Sequence, residues 1–200
     1  MEPDMLQDIT TPTLREARPC VLETPRLTLR PPVLADVTAI ARIANDRRIA
    51  ENTRRLPHPY SEVDAARFVR ALEQSGETAF VIEHLDAPIG MVGINRPASG
   101  RAELGYWLGV EHWGRGFGTE AARAAIDDFF ETSDETVLIG HARVSNPASR
   151  NILEKCGFQW TGVELHRFEV IGSSAPVDAF RLTRGVWASL KTWANAGRRR

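Results

Sequence analysis

The run Trp113-Gly114-Arg115-Gly116-Phe117-Gly118-Thr119-Glu120 has the residue types and spacing of an anion site. It follows an expected strand at residues 103–108 and opens an expected helix at 121–130. A glycine-rich strand-to-helix turn leaves backbone N–H groups unpaired and aims them at one point, where the positive end of the helix dipole adds to their field. Glycine lets the backbone approach a phosphate with no Cβ in the way. The spacing excludes two common phosphate loops. A P-loop needs Lys-Ser or Lys-Thr after its last glycine, and Gly118 is followed by Thr119-Glu120. A dinucleotide fold needs G-x-G-x-x-G, whereas these glycines run G-x-G-x-G. The same turn is also compatible with a purely structural strand–helix connection.

A second landmark is Asn146-Pro147-Ala148-Ser149-Arg150-Asn151-Ile152-Leu153-Glu154-Lys155-Cys156-Gly157-Phe158. Asn146 suits an N-cap, Pro147 the first helical position and Gly157 the C-terminal cap. Ala148, Ile152 and Cys156 are spaced four apart and are expected to form one apolar face.

The elements that must position these motifs alternate along the chain, with no internal repeat. Leu27 and Leu29 alternate with polar neighbours as in a half-buried strand. Val37, Ile40, Ala41 and Ala44 are helix-spaced, and Ser61 with Asp64 forms a capping pair before a helix carrying Phe68, Val69 and Leu72. Residues 79–83 and 89–94 predict a hairpin turning at Asp86 and Pro88. A strand is expected at 137–144, two more at 160–164 and 179–183 around a loop at 172–176, and a terminal helix at 185–194. Residues 1–20 read as a flexible leader, 21–195 as one domain and 196–200 as a basic tail.

Two hundred residues with 42% hydrophobic content and a net charge of −1 exclude a disordered or strongly basic chain, so neither a nucleic-acid nor a membrane partner is expected. Residues 1–19 hold no apolar run of signal or membrane length. The cysteines, Cys20 and Cys156, show no metal spacing, and a disulfide is not expected. These features point to a cytoplasmic protein that needs no metal, as a monomer or homodimer.

Taken together, the two landmarks resemble the GNAT N-acetyltransferase superfamily, and within it the ribosomal-protein alanine N-acetyltransferases (RimJ/RimL-like). The opening Glu23-Thr24-Pro25-Arg26-Leu27-Thr28-Leu29-Arg30-Pro31, His58-Pro59-Tyr60-Ser61, Leu104-Gly105-Tyr106-Trp107-Leu108 and Arg181-Leu182-Thr183-Arg184 resemble further pieces of that branch in the same order. The resemblance spans residues 22–187. It implies an α+β fold (α/β by alternation of elements), with a mixed, mostly antiparallel sheet of about six or seven strands, a splayed central parallel pair and about four flanking helices.

The activity implied is direct transfer of an acetyl group from acetyl-CoA to a primary amine, without a covalent enzyme intermediate. The pantetheine arm would pair with backbone groups of Trp107, Leu108, Gly109 and Val110 between two parting strands. The pyrophosphate would sit on N–H groups of Arg115, Gly116, Phe117, Gly118 and Thr119, with Asn146 reaching the arm. Many relatives carry a tyrosine acid four residues before the Gly-Phe pair; that position is Leu153 here. Ser149 is therefore the expected partner of the departing thiolate, whose pKa is about 8.5 by analogy with cysteine. Glu103 is the expected base, on the strand face shared with Gly105 and Trp107. His84, His112 and His141 are the other titratable candidates. The alternatives are that Ser149 serves only its helix turn and that Glu103 serves only a salt bridge. The acceptor is a protein N-terminal α-amine or a small-molecule amine such as an amino acid, polyamine or antibiotic, with residues 47–60 and 171–178 beside it. An acyl-CoA sensor without turnover is the alternative class.

Overall fold

The computed structural model describes residues 21–75, 77–96 and 100–197. The expected leader with Cys20, and the arginines of the expected basic tail at 198–200, lie outside the described residues. The chain runs β1 (Leu22–Glu23), β2 (Thr28–Arg30), α1 (Val37–Ala44), α2 (Arg47–Ala50), α3 (Glu62–Ser75), β3 (Thr78–His84), β4 (Ala87–Asn95), β5 (Glu103–Leu108), α4 (Phe117–Thr132), β6 (Val137–Arg143), α5 (Pro147–Lys155), β7 (Gln159–Phe168), β8 (Ser173–Thr183) and α6 (Arg184–Gly197), with short 3-10 turns at Leu34–Asp36 and Val110–His112.

The eight strands make one sheet, ordered β1-β2-β3-β4-β5-β6-β8-β7. All neighbours are antiparallel except β5 and β6. That parallel pair is brief: Glu103 faces Ile139 and Leu104 faces Gly140, and beyond them the strands part. The sheet is thus mixed and mostly antiparallel with a splayed parallel pair, as expected.

Two cores lie on opposite faces. Leu104, Leu108, Phe117, Ala121, Leu138, Ala142 and Leu153 belong to the larger, under α4 and α5. Ile40, Ala44, Val69, Val81 and Met91 belong to the smaller, under α1 and α3, with Trp107 packed against it. Strand alternation therefore sends Glu103, Trp107, His141 and Arg143 to the α1/α3 face, and Tyr106 to the α4/α5 face.

Several boundaries move. Helix α4 starts four residues before the expected 121, because Gly116 takes φ +82° and caps it from the left-handed region. The predicted loop at 172–176 is largely strand: β7 and β8 pair from Phe168↔Ser173 onward, and that pairing overrides the weak strand propensity of Ser-Ser-Ala-Pro. In α5 the buried residue is Leu153, with Cys156 buried just past its end, while Ala148 is exposed; a strict four-residue spacing drifts off the packed face of a helix with 3.6 residues per turn. The hairpin turn is Leu85-Asp86, both at positive φ (52° and 60°), between β3 and β4. Helix α2 was not anticipated; Asp46 caps it by accepting from Arg48 N–H.

Candidate active site

The gap between β5 and β6 gathers the predicted site residues. On the anion side, Gly114 (φ +73°) and Gly116 (φ +82°) turn the chain into α4. The N–H of Glu120 is the first to bond within the helix, to the Gly116 carbonyl at 3.1 Å. The N–H groups of Phe117, Gly118 and Thr119 thus form the first-turn donors of a 16-residue helix. Gly118 has a second reason to be glycine: a Cβ there would lie 2.8 Å from Ile152 Cδ1 on α5. The Phe117 ring is buried between two guanidinium groups, Arg26 at 4.7 Å and Arg115 at 4.8 Å, with the His84 ring at 4.6 Å.

Arg26 was not singled out as a site residue, although it stands in the opening motif. It donates to the Arg115 carbonyl (3.0 Å) and pairs with Glu120 (2.6 Å), tying the first strands to the start of α4. Burial pushes the Glu120 carboxyl up, but hydrogen bonds from Thr24 and Arg26 outweigh it and leave the group below its ordinary value. His112 packs near Phe117, and burial holds its imidazole below the ordinary value.

Backbone parity decides which groups of β5 face the gap. Gly109 N–H donates to the Ile89 carbonyl on β4 (2.8 Å), while the Ala102 carbonyl accepts from Ile139 on β6 (2.9 Å). Odd-numbered residues of β5 therefore point their peptide groups at β4, and even-numbered ones at the gap. Of the expected arm-binding residues, Leu108 faces the gap; Trp107 and Gly109 turn the other way, and Val110 has entered a 3-10 turn. Tyr106, not named from sequence for this role, faces the gap with Leu108. The Leu108 carbonyl accepts from the Trp113 indole (2.8 Å), which leaves its N–H toward the opening.

On the α5 side, Asn146 is the N-cap, its side-chain oxygen accepting from Ser149 N–H at 3.2 Å. The cap uses only the acceptor end of the amide. The Tyr106 hydroxyl donates to the Ser149 carbonyl (3.0 Å) and lies 2.9 Å from Ser149 Oγ, so the serine hydroxyl donates to the phenol oxygen. Burial drives the Tyr106 phenol well above its ordinary pKa, opposed by the bond to Ser149. A phenol thus reaches Ser149 from β5, while position 153 on α5 holds leucine.

On the opposite face, Glu103 is buried, 7% exposed. It accepts from Arg54 at 2.5 Å and from His141 Nδ1 at 2.9 Å. Burial pushes its carboxyl up, but the His141 bond and the Arg54 charge win and hold it below the ordinary carboxylate range. A carboxylate so stabilised is a weak proton acceptor. With Nδ1–H directed at Glu103, His141 turns Nε2 toward the pocket, 3.6 Å from Glu164. His166 Nε2 also meets Glu164 (2.8 Å), and His166 Nδ1 lies 3.1 Å from Arg54 Nη1. His141, Glu164 and His166 bring ligand-type atoms within 4.8 Å of one another. Arginine only donates, so His166 Nδ1 must accept and its Nε2 must carry hydrogen. His166 thus donates to Glu164, whereas His141 Nε2 and the Glu164 carboxylate are both acceptors and share no hydrogen bond.

A pocket of about 620 Å³ opens from this face, walled by Leu56, Phe68, Trp107, His141 and Arg143 among others. Of the acceptor-side stretches expected from sequence, residues 52–57 and Tyr60 line it; from 171–178, only Val177 does. Among the described residues no helix is long and apolar enough to cross a membrane.

Comparison with known proteins agrees with this architecture. The family model for the acetyltransferase (GNAT) domain matches residues 26–159. The chain is 30% identical over 176 residues to the uncharacterized N-acetyltransferase p20 of Bacillus licheniformis, covering 84% of this chain and 98% of that protein. It is 33% identical over 104 residues to the ribosomal-protein-serine acetyltransferase of Escherichia coli K12, covering 49% of this chain and 58% of that one. Among solved structures, Mycobacterium smegmatis RimJ in complex with CoA-disulfide superposes with a TM-score of 0.71 at 23% identity, over 84% of this chain and 87% of RimJ. A family model matched from β2 into β7, on a sheet that parts between β5 and β6, makes this chain an acetyl-CoA-dependent N-acetyltransferase belonging to the GNAT acetyltransferase family.

Proposed function

We propose that the enzyme acetylates the α-amine of a peptide or protein N-terminus, with proton acceptance and proton donation divided between the two faces of the sheet. The observation that carries the reading is this division: Glu103–His141 stands on one face of the gap and Tyr106–Ser149 on the other.

The coenzyme fits the residues present. The N–H groups of Phe117, Gly118 and Thr119, with the Arg26 and Arg115 guanidiniums nearby, would hold its pyrophosphate. The gap-facing peptide groups of Tyr106 and Leu108, and the donor end of Asn146, would hold the pantetheine arm. The incoming amine is mostly protonated at neutral pH and must lose a proton before attack. His141 Nε2 takes it, with ionised Glu103 fixing the ring through Nδ1 and stabilising the imidazolium formed. Attack on the thioester carbonyl forms the C–N bond, the nitrogen gives its second proton to water as the intermediate collapses, and the C–S bond breaks to release the amide and expel the thiolate on the α5 side. There the Ser149 hydroxyl turns from Tyr106 to the sulfur, and Tyr106 donates to Ser149 Oγ in its place.

A protein α-amine is favoured because the pocket is open on the α1/α3 side, and because the resemblance and relatives point to ribosomal-protein acetyltransferases. The test is steady release of free thiol from acetyl-CoA in the presence of N-terminal peptides, polyamines, amino acids and aminoglycosides. Turnover with peptides well above small amines is expected. Tight CoA binding without thiol release on any amine would make the chain a sensor instead.

A further inference from the structure

Arginines stand out in the pocket wall: Arg54, Arg55, Arg67 and Arg143 all line it. Arg54 is neutralised by Glu103 and Arg67 pairs with Asp64, while Arg55 is exposed to solvent. Arg143 differs. It is half-buried, its Nη1 donates to the Glu51 carbonyl (2.7 Å), and its guanidinium rests over the Phe168 ring at 5.3 Å. Its Nε is cut off from solvent and has no hydrogen-bond partner among the described residues. Among those residues no carboxylate lies within 4.0 Å of its charge, although Glu169 lines the same pocket. A held, half-desolvated cation with no counter-ion costs free energy unless an anion reaches the part of its guanidinium that lines the pocket.

Position says what that partner belongs to. Arg143 follows His141 by two residues on β6, so both side chains leave the same face, about 7 Å apart along the strand. A ligand whose amine is at His141 Nε2 carries its next polar group toward Arg143. We infer that Arg143 is an acceptor-recognition residue, and that the acceptor carries a carboxylate within one amino-acid frame of the amine that is acetylated. This rests on the amine-acetylating reading of the gap and narrows it. A polyamine has no group for Arg143 and would be repelled by it. The shared chemistry, an amine beside a carboxylate, has two sources: the α-carboxylate of a free amino acid, or an acidic side chain at the start of a peptide.

Two matched pairs separate the sources. One is alanine against alaninamide; the other is a C-terminally amidated tripeptide beginning with Asp against the same peptide beginning with Asn. The wild-type enzyme should prefer the carboxylate member of one pair by at least about tenfold in kcat/KM, the scale of one charge-assisted hydrogen bond. Arg143→Gln should erase that preference through KM, leaving the neutral member within about twofold and CoA affinity unchanged. Arg143→Lys, which keeps the charge and loses the fork, should restore part of it. No preference in either pair, or an equal loss on both members in Arg143→Gln, overturns the inference. Equilibrium binding of the same four compounds to CoA-saturated protein gives a readout independent of turnover. Selective binding of a carboxylate member without thiol release would retain the site and remove the catalytic reading. Indiscriminate binding would remove the site.

Discussion

A charge placed at Gly116 should report directly on the ligand of the glycine turn. Gly116 sits at φ +82°, and a Cβ built on it meets only Arg26 Nη2, at 3.4 Å. Space is therefore available and two costs remain. The left-handed backbone costs a non-glycine residue about 1–2 kcal/mol of folding stability, with Asn and Asp the most tolerant. The carboxylate of Gly116→Asp would also stand beside the free N–H groups of Phe117 to Thr119. At about 5 Å from a phosphate, one unit of like charge is worth about 0.8 kcal/mol in water and about 3 kcal/mol at the effective dielectric of a protein surface. Arg26 offsets part of this. A net loss of about 2 kcal/mol, or roughly thirtyfold in CoA affinity, is expected. Gly116→Asn is the control, because it shares the shape and the backbone cost without the charge. Calorimetric titration with CoA should show the Asp variant far weaker than Asn at low ionic strength. The difference should shrink in 1 M salt, where the screening length falls to about 3 Å. If both variants fold and bind CoA equally, the phosphates do not sit on this turn and the reasoning fails.

The remaining expectations concern catalysis, acid stability and thiol chemistry. Glu103→Gln and His141→Gln should each lower kcat by about a hundredfold with CoA affinity held within about twofold; near-full activity of either variant between about pH 6 and 9 would remove that residue from proton transfer. Ser149→Ala should cost about tenfold, because water can replace a hydroxyl, and Tyr106→Phe should cost no more. The Tyr106→Phe/Ser149→Ala double variant should be no slower than Ser149→Ala alone, whereas additive losses would show that the pair is not one relay. Glu120 has its carboxyl held below its ordinary value of 4.5, so its contribution is complete above that pH and fades as the pH falls through the depressed folded-state value. Denaturant melts of Glu120→Gln should thus show a stability deficit at pH 7 that narrows as the pH falls below 4.5, and a deficit independent of pH would refute the linkage. Cys156 is buried with its thiol pushed up to about 11, so thiol reagents at neutral pH should modify it only on unfolding; rapid labelling of native protein would contradict its placement.

The fold was legible where local chemistry and tertiary demand coincide. Asn146, Pro147 and Gly157 bracket α5 by capping alone, and the glycine turn announces α4 and its donors. The sequence was less informative wherever a contact across the chain decides. Nothing local to Ser-Ser-Ala-Pro says that β7 lies alongside to make it a strand. Glu103 was visible as a carboxylate on the right strand. Its bond to His141, 38 residues away, and its ion pair with Arg54 were not, and those bonds are what make it a support for the imidazole. Tyr106 was overlooked for a related reason. The family resemblance points to a helical tyrosine at position 153, whereas the phenol arrives at Ser149 from β5, 43 residues away. Strand parity had a simpler signal: alternation along residues 103–109 already implies that only every second peptide can face the gap.

The parting of β5 from β6 turns the sheet into a partition with one slot. Whatever sits on the α1/α3 side meets the reaction only through that slot, and so does whatever sits on the α4/α5 side. On the proposed assignment, changes around Leu56, Phe68 or Arg143 would therefore re-specify the acceptor without disturbing the helix ends and glycines that would serve the coenzyme. On the proposed mechanism, changes around Ser149 would retune thiolate departure without altering who is acetylated. The two halves of the proposed reaction would then be separately mutable, because a layer of hydrogen-bonded backbone stands between them.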